Sequence, residues 1–373
     1  MAECPVDPRV VRILGTRGIP ANHGGFETFA QKLAGHLVSK GWAVTVYCQT
    51  DGVGPIIEDN WNGVRLIKVP EPRTDALGTM RYDWKCIRHA AKEEGVVLTL
   101  GYNTALFNLW FRLKGIKNII NMDGFEWKRT KWNFLAKIWF YLNDWAGCLI
   151  GNHLIADHPE IAKHLVTRRS INSITMIPYG ADLVESANVD LVRNFGLEPK
   201  QFALCVARIE PENSILEIVR AFSSKDRNQK LVIVGPFNPK TNNYHSKIRE
   251  VANEQVVFLG TVYDKIITDA LRFYCDLYIH GHTVGGTNPT LVESMGAGCA
   301  ILAHDNPFNR WVLDGRAVFF RTEKGCGEQL DLLMQNQPLE NELPKQHQER
   351  CKNVFSWPIV LDQYKALLVQ ITQ

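Results

Sequence analysis

The stretch "GGTNPTLVE" combines residue types that can bind a phosphorylated ligand. Its glycines permit close backbone approach, and the N–H groups of Gly285, Gly286, Thr287 and Asn288 precede a predicted helix whose positive dipole end favours an anion. Asn288 suits the N-cap of that helix, and a proline follows it at the first helical position. The stretch therefore predicts a phosphate site, with Glu293 about one turn further in, where its carboxylate can accept hydrogen bonds from a ribose diol.

Glu293 also has a structural interpretation, as a solvated or salt-bridged residue on the helix surface. Its apolar neighbours Leu291, Val292 and Met295 argue against simple exposure. A second predicted anion site is the helix start at Gly24 and Gly25, which follows "GTRGIPANH". There the alternative is that the glycines serve only a tight turn.

Two carboxylates lie at and just after the end of the segment "NIINMD", which is typical of a buried strand. Asp123 ends this segment, and Glu126 comes after Gly124. Ligands of parallel sheets bind at the carboxyl ends of the strands, so Asp123 is placed to meet one. An N-cap role for Asp123 and a surface position for Glu126 are the structural alternatives.

Short apolar runs alternate with amphipathic segments along the whole chain. This rhythm predicts parallel sheets covered by helices, and a pause over 176–190 predicts a linker between two doubly wound α/β domains. We predict domains at residues 1–180 and 181–355, followed by a helix over 356–373 that packs back on the first domain. A dinucleotide-binding dehydrogenase is disfavoured, because the turn after the first strand lacks the G-x-G-x-x-G spacing.

The composition is that of a globular protein of 373 residues, with 45% hydrophobic and 22% charged residues. The formal net charge of +3 is too small to argue for a nucleic-acid partner. Nine cysteines are scattered singly, without metal-ligand spacing, and are expected to be buried and reduced. Neither a signal peptide nor a transmembrane segment is expected, which points to a cytoplasmic protein.

Four motifs in order make the chain resemble the retaining glycosyltransferases of family 4, which have the GT-B fold: two Rossmann-like domains facing a central cleft. They are "GTRGIPANHGGFETF", "NMDGFEWKRTKW", "ARIEPENSI" and "GGTNPTLVESMGAG". Within that family the chain is most similar to the bacterial subgroup that includes rhamnosyltransferases of capsule, O-antigen and exopolysaccharide synthesis. The resemblance implies a hexosyltransferase that moves a sugar from a nucleotide diphosphate donor to a saccharide or lipid-linked saccharide, with dTDP-L-rhamnose as the first donor candidate.

The resemblance also implies roles for particular residues. The first domain would bind the acceptor and the second the nucleotide sugar, without a metal ion or other cofactor. Arg208 matches the family's diphosphate-binding arginine, and Arg17 could assist from across the cleft. Asp123, with Glu126 nearby, would orient the acceptor hydroxyl or accept its proton. Asp123, Glu126 and Arg208 are thus the candidate catalytic residues.

Two positions depart from the family pattern. Glu293 matches the second carboxylate of a Glu, seven residues, Glu motif, but Gly285 stands where the first carboxylate would be. Asn213 stands roughly where a diphosphate-binding lysine is usual. Similar replacements occur in the subgroup, so they do not by themselves indicate inactivation, but they put neutralisation of the diphosphate in doubt.

The segment 128–145 interleaves lysine and arginine with large apolar residues. Basic and aromatic residues on an amphipathic helix suit anionic lipid headgroups, so peripheral contact with the inner face of the cytoplasmic membrane is one interpretation. A core helix with a solvated basic edge is the other.

Three further functions compete with this prediction. The first is a catalytically inactive partner protein that binds a nucleotide sugar. The second is a family 4 transferase that uses a UDP- or GDP-sugar. The third is a GT-B enzyme of another reaction, such as an epimerase or a phosphorylase, although the motifs expected around their functional residues are not found in the sequence.

Overall fold

A computed structural model describes residues 9–21, 24–129, 131–335 and 337–373. The chain divides into two compact units. The N-terminal unit comprises Met1–Lys128, Trp132–Pro178 and Pro358–Gln373, and the C-terminal unit comprises Arg129–Lys131 and Tyr179–Trp357. Three predictions fall partly on residues outside the described part of the chain. These are residues 1–8, on which the expectation about a signal peptide depends, residues 22 and 23 before the second predicted anion site, and residue 130 of the basic segment.

The N-terminal unit contains an eight-stranded sheet with the order β3-β4-β2-β1-β5-β6-β7-β8. Its strands are β1 Val10–Leu14, β2 Ala43–Thr50, β3 Ile57–Trp61, β4 Val64–Pro70, β5 Val96–Leu100, β6 Asn118–Asn121, β7 His153–Ala156 and β8 Ile174–Met176. All pairs are parallel except β3 with β4. The sequence pattern did not indicate β3 and β8, since β3 is an exposed edge strand and β8 is very short.

Helices pack against this sheet because the contact removes their apolar faces from water. They are α1 Gly25–Ser39, α2 Ala76–Ala90, α3 Leu109–Leu113, α4 Phe134–Ile150 and α5 Pro159–Val166. In α1, Phe29, Leu33 and Leu37 are buried, as their spacing of four predicts. The last helix, α14 Trp357–Thr372, places most of its length in this unit. Its buried Tyr364 accepts a hydrogen bond from the Asn121 side chain at 2.9 Å.

The C-terminal unit contains a six-stranded parallel sheet with the order β11-β10-β9-β12-β13-β14. Its strands are β9 Phe202–Val206, β10 Lys230–Val234, β11 Val256–Gly260, β12 Leu277–His280, β13 Ala300–His304 and β14 Val318–Phe320. Alternate residues of β9 enter separate cores: Phe202 and Leu204 one, Ala203 and Cys205 the other. Both faces of the sheet are therefore covered, as expected for a parallel sheet with near-continuous apolar strands.

In the described residues of the C-terminal unit, the helices are α6 Asp190–Arg193, α7 Ile215–Ser223, α8 Asn243–Val251, α9 Lys265–Tyr274, α10 Pro289–Gly296, α11 Pro307–Val312, α12 Glu323–Gln335 and α13 Gln337–Arg350. The two doubly wound sheets confirm the predicted fold class. The eight cysteines in the described part of the chain are all buried and free. Within the same residues, every helix falls short of the length and apolarity that a bilayer span requires.

Candidate functional site

The strand order of the C-terminal sheet reverses between β9 and β12. The chain runs outward through β10 and β11 and then returns to the other side of β9 with β12. In open parallel sheets, ligands bind at such a switch point, beyond the carboxyl ends of the two strands. Arg208 follows β9, and the loop 281–288 follows β12. The topology therefore brings the predicted arginine and the predicted phosphate loop to one edge of the sheet.

Helix α10 begins at this edge as the sequence predicts. The Asn288 side chain accepts a hydrogen bond from the Thr290 N–H at 3.0 Å, and Pro289 occupies the first helical position. Gly285 has a φ of +138°, a backbone conformation that favours glycine. The helix buries Leu291, and its start faces the end of the sheet that holds the loop, so its dipole favours an anion there.

A hydrogen-bonded bridge joins the Arg208 loop to the phosphate loop. The Asn213 side-chain amide donates to the Arg208 carbonyl oxygen at 2.7 Å, and Asn213 Oδ1 lies 2.6 Å from His282 Nδ1. The Thr283 backbone N–H also donates to the Glu212 carbonyl oxygen at 2.9 Å. Asn213 is therefore a structural bridge, a role that its position in the sequence did not reveal.

His282 lies against the position that lacks the family carboxylate. A Cβ atom built on Gly285 would be 3.1 Å from His282 Nε2, so the imidazole limits the space for any side chain at Gly285. Burial, together with His280 and the nearby Arg129 and Arg208, lowers the pKa of His282 well below its usual value. The ring is neutral at pH 7, with Nδ1 as the donor to Asn213, an assignment that follows from the amide oxygen it contacts. Sequence reasoning missed this residue.

Three cations and two carboxylates surround the loop after β9. Arg129 Nη1 lies 3.1 Å from Glu212 Oε1, and Glu210 lies 3.9 Å from both Arg208 and Lys131. The cluster therefore carries one net positive charge. Arg208 is the exposed member, while Arg129 and Glu212 are largely buried. No sequence motif links Arg129 and Lys131 to this site, because they lie far from β9 in the chain.

Glu293 is held by a buried cation. Its Oε2 lies 2.5 Å from Arg272 Nη2 of α9, and only 3% of the Arg272 side chain is exposed. Asp269 also contacts Arg272, at 3.5 Å. Glu293 is therefore salt-bridged, as its structural interpretation supposes, and its ribose role stays a prediction.

Asp123 and Glu126 lie together after β6 of the N-terminal unit. Asp123 has a φ of +49°, and its N–H donates to Asn121 Oδ1 at 3.0 Å. The Glu126 N–H donates to the Tyr102 hydroxyl at 2.9 Å, and Glu126 Oε2 accepts from Trp132 Nε1 at 3.1 Å. Glu126 is buried, which argues against the surface role considered for it. Asp123 sits in a left-handed turn and does not serve as a helix N-cap.

A carboxylate of the chain itself occupies the start of α1. Glu27 Oε1 accepts hydrogen bonds from the Arg17 N–H at 2.8 Å and from Thr16 Oγ1 at 3.2 Å. A Cβ atom on Gly24, whose φ is +93°, would lie 2.0 Å from Glu27 Oε2. The space taken by Glu27 is thus one reason for this glycine. Gly24 and Gly25 as donor-binding residues stay a prediction.

A cavity of about 220 Å³ lies at the switch point of the N-terminal sheet, at the carboxyl ends of the neighbouring strands β1 and β5. Arg17, Thr79, Asp83, Asn103 and Thr104 supply polar groups to its wall. The Thr104 hydroxyl donates to Asp83 Oδ2 at 2.8 Å. Burial raises the pKa of Asp83 to about 6, although the Thr104 hydrogen bond and the Arg17 charge act in the opposite direction. The cavity can therefore hold a small polar ligand against a carboxyl that gains or loses its proton near neutral pH.

Sequence reasoning missed Asp83. Its neighbour Tyr82 belongs to the core, since it is buried and donates to the Thr16 carbonyl oxygen. Among the residues that the structure describes, no three His, Cys, Asp or Glu side chains are grouped to hold a metal ion. Metal independence stays a prediction.

Comparisons with known proteins agree with this architecture. Residues 191–350 match the family described as "Glycosyl transferases group 1", and residues 8–182 match a "Domain of unknown function (DUF1972)". No curated protein sequence matches the chain.

Solved structures share the fold at low sequence identity. Sucrose-phosphate synthase from Thermosynechococcus elongatus has a TM-score of 0.83 at 15% identity, over 98% of this chain and 99% of that one. Anabaena HepE has a TM-score of 0.76 at 12% identity, over 97% and 100%. A trehalose-phosphate synthase from Burkholderia xenovorans has a TM-score of 0.75 at 13% identity, over 96% and 100%. The matched group 1 domain and the GT-B fold together support a glycosyltransferase.

Replacing Asn213 with the lysine usual in the resembling family tests the bridge. We expect Asn213→Lys to lower the free energy of unfolding by about 2–4 kcal/mol, because two hydrogen bonds are lost and a charge enters a buried position. Nucleotide affinity should fall as well. Denaturant unfolding and calorimetry measure the two effects. Asn194→Lys, at an exposed position of the same unit, is the matched control. Unchanged stability with tighter nucleotide binding would contradict the bridging role.

Substitutions around Arg272 separate the two roles of Glu293. Glu293→Ala should weaken donor binding by about 1–3 kcal/mol if the carboxylate holds the ribose. It should also lower stability by about 3 kcal/mol, since a buried cation loses its partner. Asp269→Asn removes the other carboxylate on Arg272 and serves as the control, with nucleotide affinity measured by calorimetry. Equal losses of affinity in both variants would mean that the effect of Glu293 is structural.

Proposed function

We propose that the protein is a retaining, metal-independent hexosyltransferase similar to glycosyltransferase family 4. It moves a sugar from a nucleotide diphosphate donor to a saccharide or lipid-linked saccharide in bacterial surface polysaccharide synthesis. The observation that carries the proposal is the meeting of Arg208 and the loop 281–288 at the switch point of the C-terminal sheet. This edge lies within the segment that matches the group 1 model.

The C-terminal unit supplies the donor groups in this proposal. Arg208 and the N–H groups of Gly285, Gly286, Thr287 and Asn288 stabilise the charge that develops on the departing diphosphate. The cluster's single net positive charge favours a dianion only weakly, so backbone donors and the start of α10 carry much of the binding. Glu293 accepts hydrogen bonds from the ribose, and neutral His282 offers Nε2 to a hydroxyl beside Gly285.

The N-terminal unit supplies the acceptor groups. A hydroxyl-bearing ring fits the polar cavity lined by Arg17 and Asp83, whose volume of about 220 Å³ is of monosaccharide size. Asp123, with Glu126 behind it, orients the attacking hydroxyl or takes its proton. In a retaining front-face reaction the leaving phosphate takes that proton instead, and Asp123 then positions the acceptor.

The donor is proposed as dTDP-L-rhamnose, from the resemblance to the rhamnosyltransferase subgroup. UDP-sugars are the main competitors, because the Anabaena structure is a complex with UDP and glucose and the Burkholderia enzyme is UDP-forming. We place the protein in the cytoplasm at the inner face of the membrane, with contact through 128–145. The alternative function, a catalytically inactive nucleotide-sugar-binding partner, is favoured by Asn213 and Gly285 and predicts binding without turnover.

A calorimetric screen tests the donor assignment. Metal-free protein is titrated with dTDP, UDP, GDP and ADP, and then with the sugar conjugate of each nucleotide that binds. We expect one nucleotide and its sugar to bind selectively, with a dissociation constant between about 1 µM and 1 mM. Arg208→Gln should weaken this binding, whereas Arg220→Gln, at an exposed position of α7, should not. Folded protein that binds no nucleotide would argue against the donor site.

The role of Asp123 is tested by Asp123→Asn, because asparagine tolerates the same left-handed backbone. We expect nucleotide release from the selected donor to slow by about 10²-fold or more, with donor affinity nearly unchanged. Asp314→Asn, at another left-handed aspartate in the C-terminal unit, is the control and should keep full turnover. A melting temperature that falls together with activity would indicate a structural role.

A further inference from the structure

Helix α4 buries two polar residues and leaves a row of leucines exposed. Asn143 and Asp144 are 1% and 3% exposed, whereas Leu135, Leu142 and Leu149 are 75%, 58% and 58% exposed. The exposed leucines recur at intervals of seven residues, so they form one stripe along the helix. The inward face also carries buried Ala146, Cys148 and Ile150, so the leucine stripe is an apolar face in addition to the one that packs inward.

Hydrogen bonds and ion pairs fix this orientation. Asp144 pairs with Arg168 and with His164, the latter at 3.0 Å. Asn143 Oδ1 accepts from the Leu106 N–H at 2.9 Å, and its amide donates to the Trp139 carbonyl oxygen at 3.0 Å. Turning the helix to bury its leucines would leave the Asp144 carboxylate without these partners. The contacts of Asn143 and Asp144 therefore hold the leucine stripe in its outward orientation.

The neighbouring segment extends the apolar surface. Leu106, Leu109, Trp110 and Leu113 are 47%, 43%, 37% and 70% exposed. The Trp84 ring of α2 contacts the Trp110 ring at 6.0 Å. The stripe on α4 and these side chains together are named the α3–α4 surface. Large apolar side chains exposed in such number on neighbouring elements are typical of an interaction site on a folded protein.

Lysine and arginine side chains lie beside this surface, and the described part of the stretch 103–149 has no exposed carboxylate to neutralise them. Lys114 lies over the Trp110 ring at 5.6 Å, and Arg112 donates to the carbonyl oxygen of Ile150 at the end of α4. Lys128 lies over the Trp127 ring at 5.1 Å, and that ring contacts Tyr141 of α4. The stretch 103–149 contains three carboxylates, those of Asp123, Glu126 and Asp144. None of the three is exposed, so the charge available at the surface is positive.

We propose that the α3–α4 surface docks on a bilayer containing anionic lipids. Its apolar stripe enters the boundary between headgroups and acyl chains, and its lysines and arginines contact lipid phosphates. A second copy of the chain fits less well, because a two-fold contact would bring the same cations face to face. The inference extends membrane contact beyond 128–145 to α2 and α3. Its link to a lipid-linked acceptor rests on the proposed function, but the docking itself does not.

Vesicle sedimentation with the full-length protein tests the proposal. Phosphatidylcholine vesicles that contain phosphatidylglycerol should retain about ten-fold more protein than pure phosphatidylcholine vesicles, and salt should weaken the binding. Leu135→Glu/Leu142→Glu should lower retention about ten-fold or more. The control, Ile266→Glu/Leu332→Glu, introduces the same charge at exposed apolar positions of the C-terminal unit and should bind like the wild type.

Two further measurements separate the result of the vesicle experiment from the question of which donor the protein binds. Circular dichroism checks that each variant is folded, and nucleotide titration checks the donor site without vesicles. Wild-type protein that ignores anionic vesicles, or binds neutral ones equally, overturns the proposal. So does equal loss of binding in the control variant. A dimer in light scattering that Leu135→Glu/Leu142→Glu dissociates, without vesicle binding by the wild type, would assign the surface to a second copy.

Discussion

The bridge through Asn213 is the interaction on which the candidate donor site depends. It joins the loops that leave two neighbouring strands, β9 and β12, and so links two separate segments into one polar wall. The contact is close, because a Cβ atom on Gly281 would lie 2.2 Å from the Asn213 carbonyl oxygen. Each hydrogen bond contributes only about 1 kcal/mol net, but a buried partner left unpaired costs more. The placement of Arg208 beside the phosphate loop follows from this arrangement.

The positive and negative charges of the side chains at this wall nearly cancel. Glu210 and Glu212 offset two of the three nearby cations, and His282 adds no charge because burial lowers its pKa. An anion would therefore be held mainly by directed N–H groups. Such donors discriminate by geometry and need no reorganisation when charge develops on a leaving group. The same reasoning explains why the start of α10 matters: its N-cap and glycine-permitted loop set the direction of those donors.

The fold and part of the candidate site could be predicted from the sequence. Parallel strands buried on both faces produce apolar runs that can be recognised in the sequence. The start of α10 can be recognised as well, because Asn288 is an N-cap residue and Pro289 suits the first helical position. Asp83, Arg129 and His282 were not, since their significance arises from contacts between segments distant in sequence. Helix α4 shows another limit. Its sequence pattern is compatible with a core helix and with a helix that contacts lipid headgroups, and the partners of Asn143 and Asp144 determine which face points inward.

The two departures from the resembling family's pattern, at Asn213 and Gly285, have one common structural explanation. Asn213 accepts from His282, and the His282 ring lies where a side chain at residue 285 would need space. Gly285 in turn has a φ of +138°, which a glutamate would rarely adopt. A lysine at 213 would remove the acceptor that holds His282, and a glutamate at 285 would displace the ring. Asn213, His282 and Gly285 therefore act as one unit, in which an amide and a neutral imidazole occupy the space that a lysine at 213 and a glutamate at 285 would need. Because buried polar groups are hydrogen-bonded in any stable fold, this bridge is needed equally by a protein that transfers a sugar and by one that only binds its nucleotide.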